Sequence, residues 1–156
     1  MNQTIAPFRY SVTVPISAQR AFTLFTEGIN TWWIGHRIGE SELAEVVIEP
    51  RVGGRWYERG VDGTECDWGK VLVFDPPERL VLSWQLNYQY KYDTDLAHAS
   101  EVEVLFTEEN GLTRVALEHR NFERHGAGAE ELAAGVSDEG GWPSILELYA
   151  KAAAAA

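Results

Sequence analysis

Apolar and polar positions alternate along most of this chain. The run Phe8-Arg9-Tyr10-Ser11-Val12-Thr13-Val14 sets Phe8, Tyr10, Val12 and Val14 on one face of a strand that Pro15 ends. Ser17 then stands where it caps a helix in which Ala18, Ala21, Phe22 and Phe25 recur at helical spacing; Gly28 interrupts it, and a short second turn carries Trp32 and Trp33. The alternation resumes at Ala44 and predicts strands over 44–49, 54–59, 67–74, 79–86, 100–107 and 112–119. Turn formers separate them at 50–53, Asp62-Gly63, 75–78 and Asn110-Gly111, with one long loop after the fifth strand. Over 140–151 the period changes. Trp142, Ile145, Leu146 and Tyr149 fall at i, i+3, i+4 and i+7, one broad face of a helix. Pro143 fits its first turn but would kink a helix begun near Asp138, so the pattern leaves both starts open.

The predicted order is therefore strand, two short helices, six strands and one long helix, an α+β chain. Strands joined by short turns pair antiparallel, and seven of them curl enough to hold the closing helix in the concave face. With the two short helices holding one end apart, a cavity is expected between sheet and helix. Its inward side chains, by period two, are Trp56 and Glu58, then Trp68, Lys70 and Leu72, then Leu80, Leu82 and Trp84. Val102, Val104 and Phe106 follow, and finally Val115, Leu117 and His119. On the third strand Arg55 and Tyr57 compete for the inward face, because a slip of one residue exchanges the two sets.

Composition narrows the chemistry. A chain of 156 residues is expected to form one domain, 1–156, with its core over about 8–151. Cys66 is the only cysteine, which excludes an internal disulfide, a thiol redox pair and a zinc site built on several thiolates. His36, His98 and His125 fall in predicted loops without metal-ligand spacing to one another or to Cys66, so no metal is expected. Gly53-Gly54 leads into a strand rather than a helix start, which makes it a hairpin turn and not a phosphate loop; no nucleotide cofactor is expected. No Gly-x-Ser-x-Gly elbow is present. The formal charge of −11, with scattered basic residues, speaks against a nucleic-acid surface. With no secretory signal pattern and no apolar run of membrane-spanning length, the expected location is cytoplasmic.

The stretches Pro50-Arg51-Val52-Gly53-Gly54-Arg55-Trp56, Gly69-Lys70-Val71-Leu72-Val73-Phe74-Asp75-Pro76-Pro77-Glu78-Arg79-Leu80 with Trp84, and Gly141-Trp142-Pro143-Ser144-Ile145-Leu146 carry a resemblance, to which Trp32-Trp33 adds. Together they resemble the bacterial branch of the family named after the activator of the heat-shock protein 90 ATPase, within the START-like (SRPBCC) superfamily, over 8–151. The resemblance implies the helix-grip fold. It implies no particular reaction, since the superfamily spans lipid and hormone carriers, polyketide cyclases and co-chaperones.

Six tryptophans in a chain of this length make the aromatic set the first candidate site. Trp33, Trp56, Trp68, Trp84, Trp142 and Tyr149 are expected to line a pocket for a small hydrophobic or aromatic ligand, with indole N–H groups fixing its orientation. Taken singly, each indole reads first as core filler; taken as a group, they favour a pocket. Trp142 is expected to bury its ring against Leu82, Trp84 and Leu117. His119, at the end of the last strand, is either a polar group satisfied by its surroundings or a general acid–base partner for Glu58 across the cavity. The segment Asn87-Tyr88-Gln89-Tyr90-Lys91-Tyr92-Asp93 either extends the fifth strand over the cavity mouth or forms a homodimer contact. The final alanines, 152–156, read as a frayed extension or truncated end. Three functions follow: a ligand-binding module, which the indoles favour; a cyclase or hydratase using His119 and Glu58; and, by family analogy alone, a chaperone partner.

Overall fold

Short turns force strands that are neighbours in sequence to pair, and one long-range pairing then joins the first strand to the last. The computed structural model describes residues 4–33 and 36–156. Its strands are β1 (Phe8–Val14), β2 (Leu43–Ile48), β3 (Arg55–Gly60), β4 (Glu65–Asp75), β5 (Arg79–Trp84), β6 (Ser100–Glu109) and β7 (Leu112–Arg120). They form one antiparallel sheet in the order β1-β7-β6-β5-β4-β3-β2, with β1 registered on β7 from Phe8 opposite His119 to Val14 opposite Thr113. Helix α1 (Ala18–Thr26) is capped by Ser17, whose hydroxyl accepts from the Arg20 N–H at 3.2 Å. A 3₁₀ turn, Ile29–Thr31, follows it.

The curled sheet wraps the closing helix α3 (Trp142–Ala155), whose Trp142, Ile145, Leu146, Tyr149 and Ala153 are buried. This is the helix-grip architecture. Pro143 lies in the first turn of α3, so the earlier start near Asp138 is excluded. The alanine run is not frayed: it continues α3 and buries Ala153 completely.

Two features differ from the expected pattern. Helix α2 (Ala129–Ser137) stands between β7 and α3, where no helix was predicted; it buries Ala129, Leu132 and Val136, spaced i, i+3 and i+7. On β4 the inward set is Trp68, Val71 and Phe74, so Lys70 and Leu72 do not point into the core as period two predicts. The cause is a pair of register shifts. Trp56 faces Gly69 while Tyr57 faces Asp67, which leaves Trp68 as an extra residue turned inward; a second shift follows between Val71 and Val73. Gly69 is required there, since a Cβ would lie 1.9 Å from the Ser83 carbonyl oxygen. On β3, Trp56 and Glu58 are buried, while Arg55 stacks 3.9 Å over the Tyr57 ring on the other face.

Candidate functional site

The bulge at Trp68 completes a row. Trp56 on β3, Trp68 on β4 and Trp84 on β5 lie side by side on the concave face, with ring centroids 5.6 Å (Trp56–Trp68), 5.4 Å (Trp68–Trp84) and 5.8 Å (Trp56–Trp84) apart. Trp142, at the start of α3, meets Trp84 at 5.8 Å; Trp33 meets Trp68 at 5.5 Å, Trp56 at 6.1 Å and Trp142 at 6.3 Å. Most of these contacts are edge to face, the arrangement that aromatic quadrupoles favour. His119 closes the ring against Trp84 at 5.3 Å and Trp142 at 6.1 Å. Every member is 5 % exposed or less. Sequence positions from 33 to 142 thus converge on one spot. Tyr149 does not join them: it packs on Phe25 and Trp32, and its hydroxyl donates to the Ala21 carbonyl at 2.8 Å. Burial pushes its ionisation far up.

An indole nitrogen can only donate, so each buried one needs an acceptor. Trp32 donates to the Leu24 carbonyl at 2.9 Å, Trp33 to the His36 carbonyl at 3.0 Å, Trp68 to Glu58 Oε1 at 2.9 Å and Trp142 to His119 Nδ1 at 3.0 Å. The buried Nε1 atoms of Trp56 and Trp84 have no partner among the described residues.

Glu58 and His119 are both fully buried and occupied separately. The Glu58 carboxylate accepts from the backbone N–H groups of Ile38 at 2.6 Å and Gly39 at 3.1 Å as well as from Trp68, and so ties the 36–41 segment to the indole row. For His119 the tautomer follows from its partners. Because Trp142 donates to Nδ1, the proton sits on Nε2, which donates to Ser100 Oγ at 2.7 Å. The Ser100 hydroxyl in turn donates to His125 Nε2 at 2.7 Å, an atom that also accepts from the Ser100 N–H at 3.2 Å. Burial, and then the neighbouring His125, holds His119 well below the usual imidazole range; burial brings His125 down to about 4. Ser100 and His125 were not anticipated as parts of the site. Their only sequence signal is polarity beside a strand start and a short turn, 19 and 25 positions from their partners.

The family described as "Activator of Hsp90 ATPase homolog 1-like protein" matches residues 15–152. The chain belongs to that family. No curated protein matches it. Among solved structures it is similar to an anthrahydroquino-γ-pyrone synthase, with 37% identity over 97% of this chain and 99% of that one and a TM-score of 0.67. It is also similar to CalC, a self-sacrificing resistance protein from Micromonospora echinospora, with 31% identity over 94% and 93% of the two chains and a TM-score of 0.64. A protein from Nitrosomonas europaea shares the fold alone, at 12% identity, 94% and 93% coverage and a TM-score of 0.66. Membership of the family supports a ligand-binding domain.

In this family member the ring meets the surface near Trp33, which also lines a cleft of about 540 Å³ with Asn30, His36, Arg37 and Glu42. At the other end the tyrosine segment neither extends β5, which stops at Trp84, nor stands free. A bridge between Leu86 and Tyr92 folds it back, and Tyr88 lies so close to Gly128 (φ +82°) that a Cβ there would fall 2.1 Å from the tyrosine ring. The segment therefore folds back beside α2, near Gly128 and Gly135, with Tyr88 and Tyr90 still exposed. Among the described residues, no helix is long and apolar enough to cross a membrane.

Proposed function

We propose that this protein binds a flat, largely apolar molecule at the indole ring, between the sheet and the start of α3. The observation that carries this reading is the convergence of Trp33, Trp56, Trp68, Trp84 and Trp142 with His119 on one buried spot, which provides aromatic faces and edges for a ring system taken out of water. Trp33 is carried by the segment between the 3₁₀ turn and β2 rather than by a strand, and it separates the ring from the outer cleft. Its displacement is the way in. Similarity to a synthase of an aromatic polycyclic product supports the same ligand class. Neither a metal nor a nucleotide cofactor enters this reading. The test is intrinsic tryptophan fluorescence together with thermal unfolding against a panel of polycyclic aromatics, flavonoid-like compounds and fatty acids. Binding at micromolar affinity or better, roughly −8 kcal/mol, is expected for the aromatic members. A panel that moves neither emission nor melting temperature sinks the proposal.

A second reading, catalysis on that ligand, is favoured by the 37% identity to a synthase. Here His119 would act only after Trp142 or Ser100 releases one of its nitrogens, since both are engaged.

A further inference from the structure

Resting on the ligand-binding reading, we infer that the ligand presents a carbonyl-type oxygen, an acceptor without a proton of its own, to the N–H groups of Trp56 and Trp84. These two indoles come from strands on either side of Trp68, with ring centroids 5.8 Å apart, and each is at most 3 % exposed. Both nitrogens are buried and unpartnered among the described residues, whereas the other four indoles in the chain each have an acceptor. A buried donor without a partner carries a desolvation cost that nothing in the protein offsets, so an acceptor arriving there recovers more than an exposed hydrogen bond would.

The neighbouring polar groups decide which kind of acceptor fits. His119 Nδ1 is taken by Trp142, its Nε2 donates to Ser100, and the Glu58 carboxylate already receives three N–H bonds. The ring is therefore rich in donors and short of free acceptors. A water or hydroxyl placed between Trp56 and Trp84 would accept from them and leave its own hydrogens poorly matched; a ketone or quinone oxygen has two lone pairs and no hydrogen to place. The site then discriminates by the polarity of one atom, the kind of recognition that separates isosteres far better than apolar contact does.

The test compares anthraquinone sulfonate with anthracene sulfonate, each carrying the sulfonate at the same ring position, so that shape and charge match and only the carbonyls differ. Fluorescence titrations of the parent protein should show the quinone bound about tenfold to a hundredfold tighter. In Trp56→Phe and Trp84→Phe, which keep an aromatic ring and remove the N–H, that ratio should collapse toward one; circular dichroism melts confirm that the variants are folded. Equal affinity of the two dyes for the parent, or a ratio unchanged in both variants, overturns the inference while leaving ligand binding standing. If neither dye binds the parent while other members of the aromatic and fatty-acid panel do, the inference falls and ligand binding stands; if nothing in the panel binds, both fall.

Discussion

Two aromatic clusters share the interior of this sheet, and they are built on different rules. One, toward α1, gathers Phe22, Phe25, Phe74, Phe106, Trp32 and Tyr149 with centroids between 5.1 and 5.9 Å. Its two polar atoms are both paired, Trp32 with the Leu24 carbonyl and Tyr149 with the Ala21 carbonyl. The other, toward β3–β5, is made of indoles and His119 and leaves two N–H groups without acceptors among the described residues. Trp32 and Trp33, adjacent in sequence and 5.9 Å apart, stand one in each. A satisfied cluster is core. An equally buried but unsatisfied one has given up stability at a particular place, which is what a site for a polar atom looks like before the atom arrives.

The largest expected effect separates the clusters through ligand linkage. Phe106→Ala and Trp142→Ala should each cost about 3–5 kcal/mol in urea unfolding, because both empty a buried aromatic volume. A dye held at a hundred times its Kd for the parent should restore about 2.7 kcal/mol to Phe106→Ala and far less to Trp142→Ala, whose own Kd is weaker. Equal rescue of both would mean that Trp142 belongs to the core and not to the site.

Next comes the carboxylate that anchors the indole row. Glu58→Gln should cost about 1.5–3 kcal/mol, since it removes charge-assisted bonds from Ile38, Gly39 and Trp68 and turns an amide donor toward other donors. Unfolding midpoints of the two proteins at pH 7 measure it; a loss below about 0.5 kcal/mol would show that the 36–41 segment is held by other contacts.

Acid sharpens the contrast because only the indole cluster contains titratable imidazoles. The folded pKa of His125 is about 4, against about 6.5 when unfolded, and that of His119 is also depressed. As pH falls below 6.5 the unfolded chain takes up protons that the folded chain refuses, so stability is full above about 6.5 and is lost toward about 4. Between pH 6.5 and 5 His125 alone should remove about 1 kcal/mol, since solvent screens part of the shift of this half-buried imidazole. Asp93 opposes this shift and His98 adds to it. Chemical unfolding at the two pH values measures the drop, and His125→Gln, whose amide oxygen still accepts from Ser100, should flatten it. A parent whose stability does not change over this window would contradict the neutral Trp142–His119–Ser100–His125 chain.

How much of this the sequence displayed depends on the length of the signal. Regular alternation on β5, β6 and β7 exposed the inward Leu82, Trp84, Val104 and Leu117, and the i, i+3, i+4, i+7 face of α3 exposed its buried side. On β4 the same rule failed after Trp68, because a bulge inserts a residue without leaving a mark on local polarity, and Lys70 and Leu72 were assigned inward in place of Val71 and Phe74. Helix α2 leaves a weak signal because it is nine residues long, contains Gly135 and follows Gly126 and Gly128. The indole ring was visible as a set of residue types at inward positions. The state of its hydrogens was not, since whether an N–H finds an acceptor is settled by residues distant in sequence, as Ser100 and His125 show for His119.

The smallest expected effect tests whether the two clusters are separate at all. Tyr149 lies on the same helix as Trp142 but in the satisfied cluster, where its hydroxyl gives one hydrogen bond to the Ala21 carbonyl of α1 at 2.8 Å. That carbonyl sits inside a helix and keeps an intrahelical partner, so Tyr149→Phe removes a single neutral bond and leaves the ring volume nearly intact. The cost should be about 1 kcal/mol, read as a small shift in the urea midpoint. Dye affinity, measured on the same sample by fluorescence, should stay within about twofold, because Tyr149 touches Phe25 and Trp32 and not the indoles of the ring. A tenfold loss of affinity would instead show that order passes from α1 through Tyr149 and Trp32 to Trp33. In that case the helix contact with α1 would set the position of the indole that stands between the ring and the outer cleft, and the core could no longer be treated apart from the site.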